Sequence, residues 1–142
     1  MSRFELVPGA TSDLSFVAYG ETLEALFASA AEALLAVTLA NPAEVAGRER
    51  EPIRLREPDL ELLLLAFLNE LIFLRDARGL LLRAGPIQIE QAGEARLDGE
   101  LCGEPVDRAR HRLEADVKAA TAHGLVVARD GAGWRASVTL DV

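Results

Sequence analysis

The stretch DLSFVAYGETLEALFASAAEALL, residues 13–35, changes its hydrophobic period part-way along. Leu14, Phe16 and Ala18 alternate, as the buried face of a strand requires, whereas Leu23, Leu26, Phe27, Ala30, Ala31, Leu34 and Leu35 recur every three or four residues, the stripe of a helix. A strand that runs straight into a helix is the local plan. Upstream, Phe4 and Leu6 continue the alternation across Pro8-Gly9-Ala10-Thr11-Ser12, which predicts two strands joined by a turn, with Asp13 where the turn enters the second strand. The Thr22 oxygen is placed to accept a first-turn amide, Glu24 complements the positive helix end, and Asn41-Pro42 stops the helix.

Downstream, Ile53 and Leu55 alternate with Arg54 and Arg56, the pattern of a half-exposed strand. Pro58 suits the first position of a second helix, because its missing N–H has no helical partner there. That helix is apolar on most faces through Leu74 and closes at Gly79, with Asn69 and Glu70 expected on its single polar stripe. Strands are predicted over 80–84, 86–91 and 95–102, the last two joined at Gly93. GEPVDRARHR, residues 103–112, reads as a loop or a short helical turn. Val117, Ala119 and Thr121 alternate with Lys118, Ala120 and Ala122, and the runs 124–129 and 133–141 flank the turn Asp130-Gly131-Ala132-Gly133. Two long helices and about seven strands without regular alternation predict one α+β domain over residues 1–142. The expected architecture is a two-layer sandwich, with two main helices packed on one face of a mixed sheet.

Half of the 142 residues are hydrophobic and 27% are charged, the balance of a folded chain large enough to own a core without disulfide or metal. The 23 acids against 15 bases give a net charge of -8, a field that repels polyanions, so no independent nucleic-acid binding is expected. Cys102 has no partner for a disulfide, and MSRFELVPG lacks a secretory signal, so a cytoplasmic location is expected. The run LLLLAFL at 62–68 is far shorter than the ~20 apolar residues that span a bilayer, which argues for core and no membrane.

The common catalytic signatures are missing: no phosphate-binding loop, no dinucleotide fingerprint, no HExxH, no GxSxG and no paired CxxC. His111 and His123 read first as surface or hydrogen-bonded structural groups. Arg108, Arg110 and Arg112, with Lys118 beyond, are the one concentration of positive charge. Lys118 stands in an alternating apolar segment, where a lysine needs a reason to be. At the far end, Asp141 is followed by Val142 and its α-carboxylate, after the alternating Trp134, Ala136, Val138 and Leu140. If the strand after Asp13 neighbours this one, three carboxylates converge, which is tolerable only with protons or a cation between them. Oxygen-only donors select a hard ion, Ca²⁺ or Mg²⁺. A turn aspartate and a solvated chain end are the competing explanation of the same residues.

Read in order, T-S-D, L-S-F-V-A-Y-G-E-T-L-E-A-L-F, D-L-E-L-L-L-L-A-F-L-N-E-L-I-F-L, G-E-P-V-D, H-R-L-E-A-D-V-K-A-A-T-A-H-G-L and W-R-A-S-V-T-L-D-V resemble the archease family from the first strand to the last residue. That resemblance implies a non-enzymatic α+β accessory protein of the RNA-splicing ligase, which joins RNA ends bearing 2',3'-cyclic or 3'-phosphates in tRNA splicing and RNA repair. It implies promotion of the ligase's guanylylation and turnover, with GTP and RNA met only through the ligase. It also implies a bound metal, calcium in the family, at residues matching Asp13, Asp141 and the Val142 carboxylate. Lys118 then becomes the best candidate for contact with the ligase or a nucleotide phosphate, with His123 and Arg112 beside it. The family motif His-Thr-Ala-Asp is not kept, since Gly9-Ala10-Thr11-Ser12-Asp13 has no histidine. Weaker binding, a metal shared with the partner, or a dispensable one all stay open. The alternatives are a general chaperone, tested by aggregation of an unrelated client, and a small metal-dependent nucleotide hydrolase, tested by NTP hydrolysis without a partner.

Overall fold

The computed structural model describes residues 2–8 and 13–142, so the predicted turn at Gly9–Ser12, and with it the departure from the family motif, lies outside the described residues. The elements are β1 (Arg3–Pro8), β2 (Asp13–Gly20), α1 (Leu23–Thr38), β3 (Glu49–Glu57), α2 (Leu60–Arg78), β4 (Leu80–Ala92), β5 (Glu94–Pro105), β6 (Ala119–Asp130) and β7 (Gly133–Asp141), with a 3-10 turn at Pro42–Glu44. α1 begins where the period changes, and Thr22 Oγ1 accepts the Ala25 N–H at 3.1 Å. α2 begins two residues later than its proline suggests. Asp59 is the cap, its carboxylate accepting the Leu62 N–H at 2.8 Å, so Pro58 stands outside the helix. A carboxylate satisfies an orphan amide and complements the helix dipole, which a proline ring does not. Gly79, at φ 67°, closes α2 in the left-handed conformation that glycine adopts without a Cβ clash.

The strands form two sheets, β1-β2-β7-β6 and β3-β5-β4, and every neighbouring pair is antiparallel. The fold is α+β with helices packed against sheets, as expected, but the single mixed sheet is replaced by two antiparallel ones. β3 and β4 do point the same way and are linked through α2, yet β5 lies between them and pairs with both. The short turn at Gly93 brings β5 beside β4 at little loop entropy, so the hairpin partner takes the place that a parallel neighbour would need a crossover to reach. The two runs predicted at 80–84 and 86–91 are one strand whose register shifts between Ala84 and Ile87, where Pro86 has no N–H to give to the ladder.

α1 packs on β2 of the first sheet and β4 of the second, and α2 on β6 as well as β3 and β4. Each helix is therefore buried on more than one side. Phe16, Phe27, Leu63, Leu64, Phe67, Leu97, Leu101 and Leu140 are fully buried in one core that draws on both sheets. The Phe27 and Phe67 rings meet at 5.4 Å between centroids, tilted by 49°, where the helices cross. Helix carboxylates also reach exposed strand amides: Glu24 accepts the Ile89 N–H at 2.9 Å, and Glu61 the Val127 N–H at 3.1 Å. β4 and β6 end their sheets, so these bonds satisfy groups that otherwise invite another strand. No helix among the described residues is long and apolar enough to cross a membrane.

Candidate functional site

The pairing of β2 with β7 is set by their apolar residues. Leu14, Phe16 and Ala18 face Leu140, Val138 and Ala136 on the core side, and a slip of one residue would turn both sets to solvent. The same register leaves Asp13 directly opposite Asp141, and Ser15 opposite Thr139, on the other face. β6 adds Ala119 opposite Asp141 and Thr121 opposite Thr139. Opposed residues of an antiparallel pair hold their Cβ atoms about 5 Å apart, so the two carboxylates are within reach of one small ion.

One row inward, the Ser15 and Thr139 hydroxyls lie 3.2 Å apart, and the Thr121 hydroxyl donates to the Thr139 carbonyl at 3.2 Å. Val142, which follows Asp141, packs against the core, and this ties down the last residue. Lys118 is exposed, and its N–H donates to the Asp141 carbonyl at 2.8 Å. Asp13, Asp141 and Lys118, distant in sequence, are thus neighbours. His123 is exposed in the stretch between Thr121 and Val126 where the β6 register shifts, and its N–H donates to Thr121 Oγ1 at 3.4 Å. Arg112 is held elsewhere, at the end of α1: its N–H donates to Asn41 Oδ1 at 2.9 Å and its carbonyl accepts from Ala40 at 2.8 Å.

Among the described residues no three His, Cys, Asp or Glu side chains gather in a metal-binding group. The predicted set has two side-chain carboxylates, those of Asp13 and Asp141, and counts the α-carboxylate of Val142 as its third donor. Three carboxylate donors and no nitrogen or sulfur fit a hard divalent ion rather than zinc or copper.

Two polar arrangements escaped the sequence reading. Asn69 does not sit on an exposed stripe: its Oδ1 accepts the Ala120 N–H at 2.9 Å and its Nδ2 donates to the Ala120 carbonyl at 3.1 Å. The available signal was a carboxamide inside an apolar helix. The second arrangement lies in the polar segment after β5, which forms one helical turn, with the His111 and Arg110 N–H groups donating to the Asp107 carbonyl at 2.6 and 2.9 Å. Glu104 and His111 are both 2% exposed. Glu104 accepts from the Arg110 guanidinium, from the Ala46 N–H at 2.9 Å and from His111 Nε2 at 2.9 Å. His111 Nδ1 accepts the Asp107 N–H at 2.8 Å, so the ring proton is on Nε2 and is donated to Glu104. The Arg110 hydrogen bonds above all, then the Ala46 amide, hold the Glu104 carboxyl at about 2 against an ordinary 4.5. The helical turn is one of the two readings of this segment, but the buried network that its charges form is not legible in the sequence.

The sequence and the fold have counterparts in proteins already described. The family model for the archease protein family (MTH1598/TM1083) matches residues 4–142. The archease of Methanosarcina mazei is 32% identical over 134 residues, covering 93% of this chain and 91% of its own. That of Pyrococcus furiosus is 36% identical over 135 residues, covering 93% and 94%. In three dimensions the solution structure of Methanobacterium thermoautotrophicum protein 1598 superposes with a TM-score of 0.82 at 29% identity, over 98% of both chains. A match that begins in the first strand and runs through Asp141 to the last residue, shared with relatives over nearly their full length, means that this chain belongs to the archease family.

Proposed function

We propose that this archease is a non-enzymatic accessory factor that activates the RNA-splicing ligase, promoting its guanylylation and repeated turnover in tRNA splicing or RNA repair. The register of β2 with β7 carries this reading, because it sets Asp13 against Asp141 with the Lys118 amide bound to the Asp141 backbone. Two aspartates set opposite one another offer a divalent ion oxygen donors from both strands. Asp13, Asp141 and the Val142 carboxylate hold a divalent ion, Ca²⁺ or Mg²⁺, which when bound supplies positive charge to phosphate oxygens. The Lys118 side chain is exposed, and its ammonium meets a phosphate of the nucleotide that the ligase holds. His123, exposed where the β6 register shifts, contributes to the same contact surface, whereas Arg112, held at the end of α1, lies outside it. GTP and RNA are engaged only through the ligase, and catalysis stays on the partner.

The test is single-turnover guanylylation of the cognate ligase. Asp13→Ala and Asp141→Ala are expected to reduce stimulation roughly 10- to 100-fold, the usual range for groups that organise a metal site, and Lys118→Ala roughly 10-fold. Calorimetric titration with calcium or magnesium should give heat for the wild type and none for Asp141→Ala. Unchanged stimulation by all three variants would end the reading, as would NTP hydrolysis by this chain without any ligase.

A further inference from the structure

α2 reaches the backbone beside the candidate site through Asn69 and Arg75. The peptide between Val117 and Lys118 is held from two sides: its carbonyl accepts from Arg75 Nη2 at 2.6 Å, and its N–H donates to the Asp141 carbonyl at 2.8 Å. Two residues on, both backbone groups of Ala120 pair with the Asn69 carboxamide, which takes the place of another strand at the edge of the sheet. Arg75 is itself steadied, its side chain 16% exposed, with Nε and Nη2 donating to Asp76 Oδ1 at 3.0 and 2.8 Å. Lys118 stands just before β6 begins at Ala119, at the end of an edge strand, where backbone ordinarily frays. Its ammonium rides on a flexible stem, so where it reaches depends on where its Cα is held.

We propose that Asn69 and Arg75 are positioning residues for Lys118, fixing from α2 the backbone that presents its ammonium beside Asp13 and Asp141. This inference rests on the role given to Lys118 above. α2 is buried along most of its length, and a site borne on a rigid element is held more closely than one on a loop. Asn69 supplies the acceptor and donor that an edge-strand residue lacks, and Arg75 closes the carbonyl that faces away from β7.

The experiment uses the full-length protein with Asn69→Leu, Asn69→Asp, Arg75→Gln and Arg75→Lys, each alone and combined with Lys118→Ala. Ligase guanylylation, amide hydrogen exchange at Lys118 and Ala120, and thermal unfolding are measured on every variant. Asn69→Leu and Arg75→Gln should lower stimulation roughly 10-fold, as loss of groups that orient a site usually does. They should also speed exchange at both amides and cause no further loss of stimulation once Lys118→Ala is present. Arg75→Lys should recover part of the effect. If Asn69→Leu fails to fold, Asn69→Asp keeps the acceptor for the Ala120 N–H, drops the donor, and carries the same comparison. Losses that add in full to that of Lys118→Ala, or faster exchange with unchanged stimulation, overturn the proposal alone. A Lys118→Ala variant as active as the wild type overturns both this proposal and the function proposed for the site.

Discussion

Glu104→Leu is expected to destabilise the protein by about 3 kcal/mol, the lower part of the range for breaking a buried charged arrangement by removing one partner. Three groups lose their acceptor at once: the Arg110 guanidinium, the Ala46 N–H and the His111 ring N–H. Arg110, whose side chain is 36% exposed, can turn towards water, which keeps the figure at the low end, but the His111 side chain is fully buried and has no such recourse. For a chain of this size the loss lowers the melting temperature by roughly 10 °C. A shift under about 3 °C would mean that the network is not a main support of this end of the fold.

The same carboxylate gives the protein an acid dependence of predictable sign. Folded, Glu104 takes up its proton only near 2; unfolded, it does so near the ordinary 4.5. Between those values the unfolded chain binds more protons, so the contribution of Glu104 is complete at neutral pH and is lost as pH falls through that window. Urea unfolding midpoints for the wild type and Glu104→Gln should therefore be furthest apart at neutral pH and converge as pH is lowered from about 5 to about 2.5. A gap independent of pH would show that the charge of Glu104 does not matter.

Phe67→Ala should cost about 3 to 5 kcal/mol, the range for emptying a buried aromatic site, whereas Phe73→Ala on the same helix should fall within about 0.5 kcal/mol of wild type. Phe67 is fully buried and its ring meets that of Phe27, so truncation opens a void where the two helices cross. Phe73 is 58% exposed. Chemical denaturation of both variants decides the matter, and equal losses would contradict the placement of the α2 faces.

Much of the fold was legible because its signals are local. The change of period near Gly20, the cap at Thr22, the stop at Gly79 and the hairpin at Gly131 each depend on residues within a turn or two of one another. The difference at Pro58 was also local, an aspartate cap outcompeting a proline. Of the candidate site, the residue types and the alternation of β7 were legible, and so was the conditional statement that Asp13 and Asp141 meet if their strands are neighbours. Whether those strands pair is a contact between residues far apart in the chain, and neither composition nor period contains it.

By itself, then, the sequence determined the α+β class, the position of most elements and the family, since these follow from short-range patterns and from the order of motifs. Only the tertiary structure decided that the strands divide into two antiparallel sheets, that Asp13 faces Asp141 with Lys118 beside them, and that the polar run after β5 buries Glu104 with His111. The physical reason is common to all three. A side chain's period shows which way it faces along its own element, while its partner across a sheet or core is chosen by how all the apolar faces are buried together, and buried charges reveal themselves only once they are seen to satisfy one another.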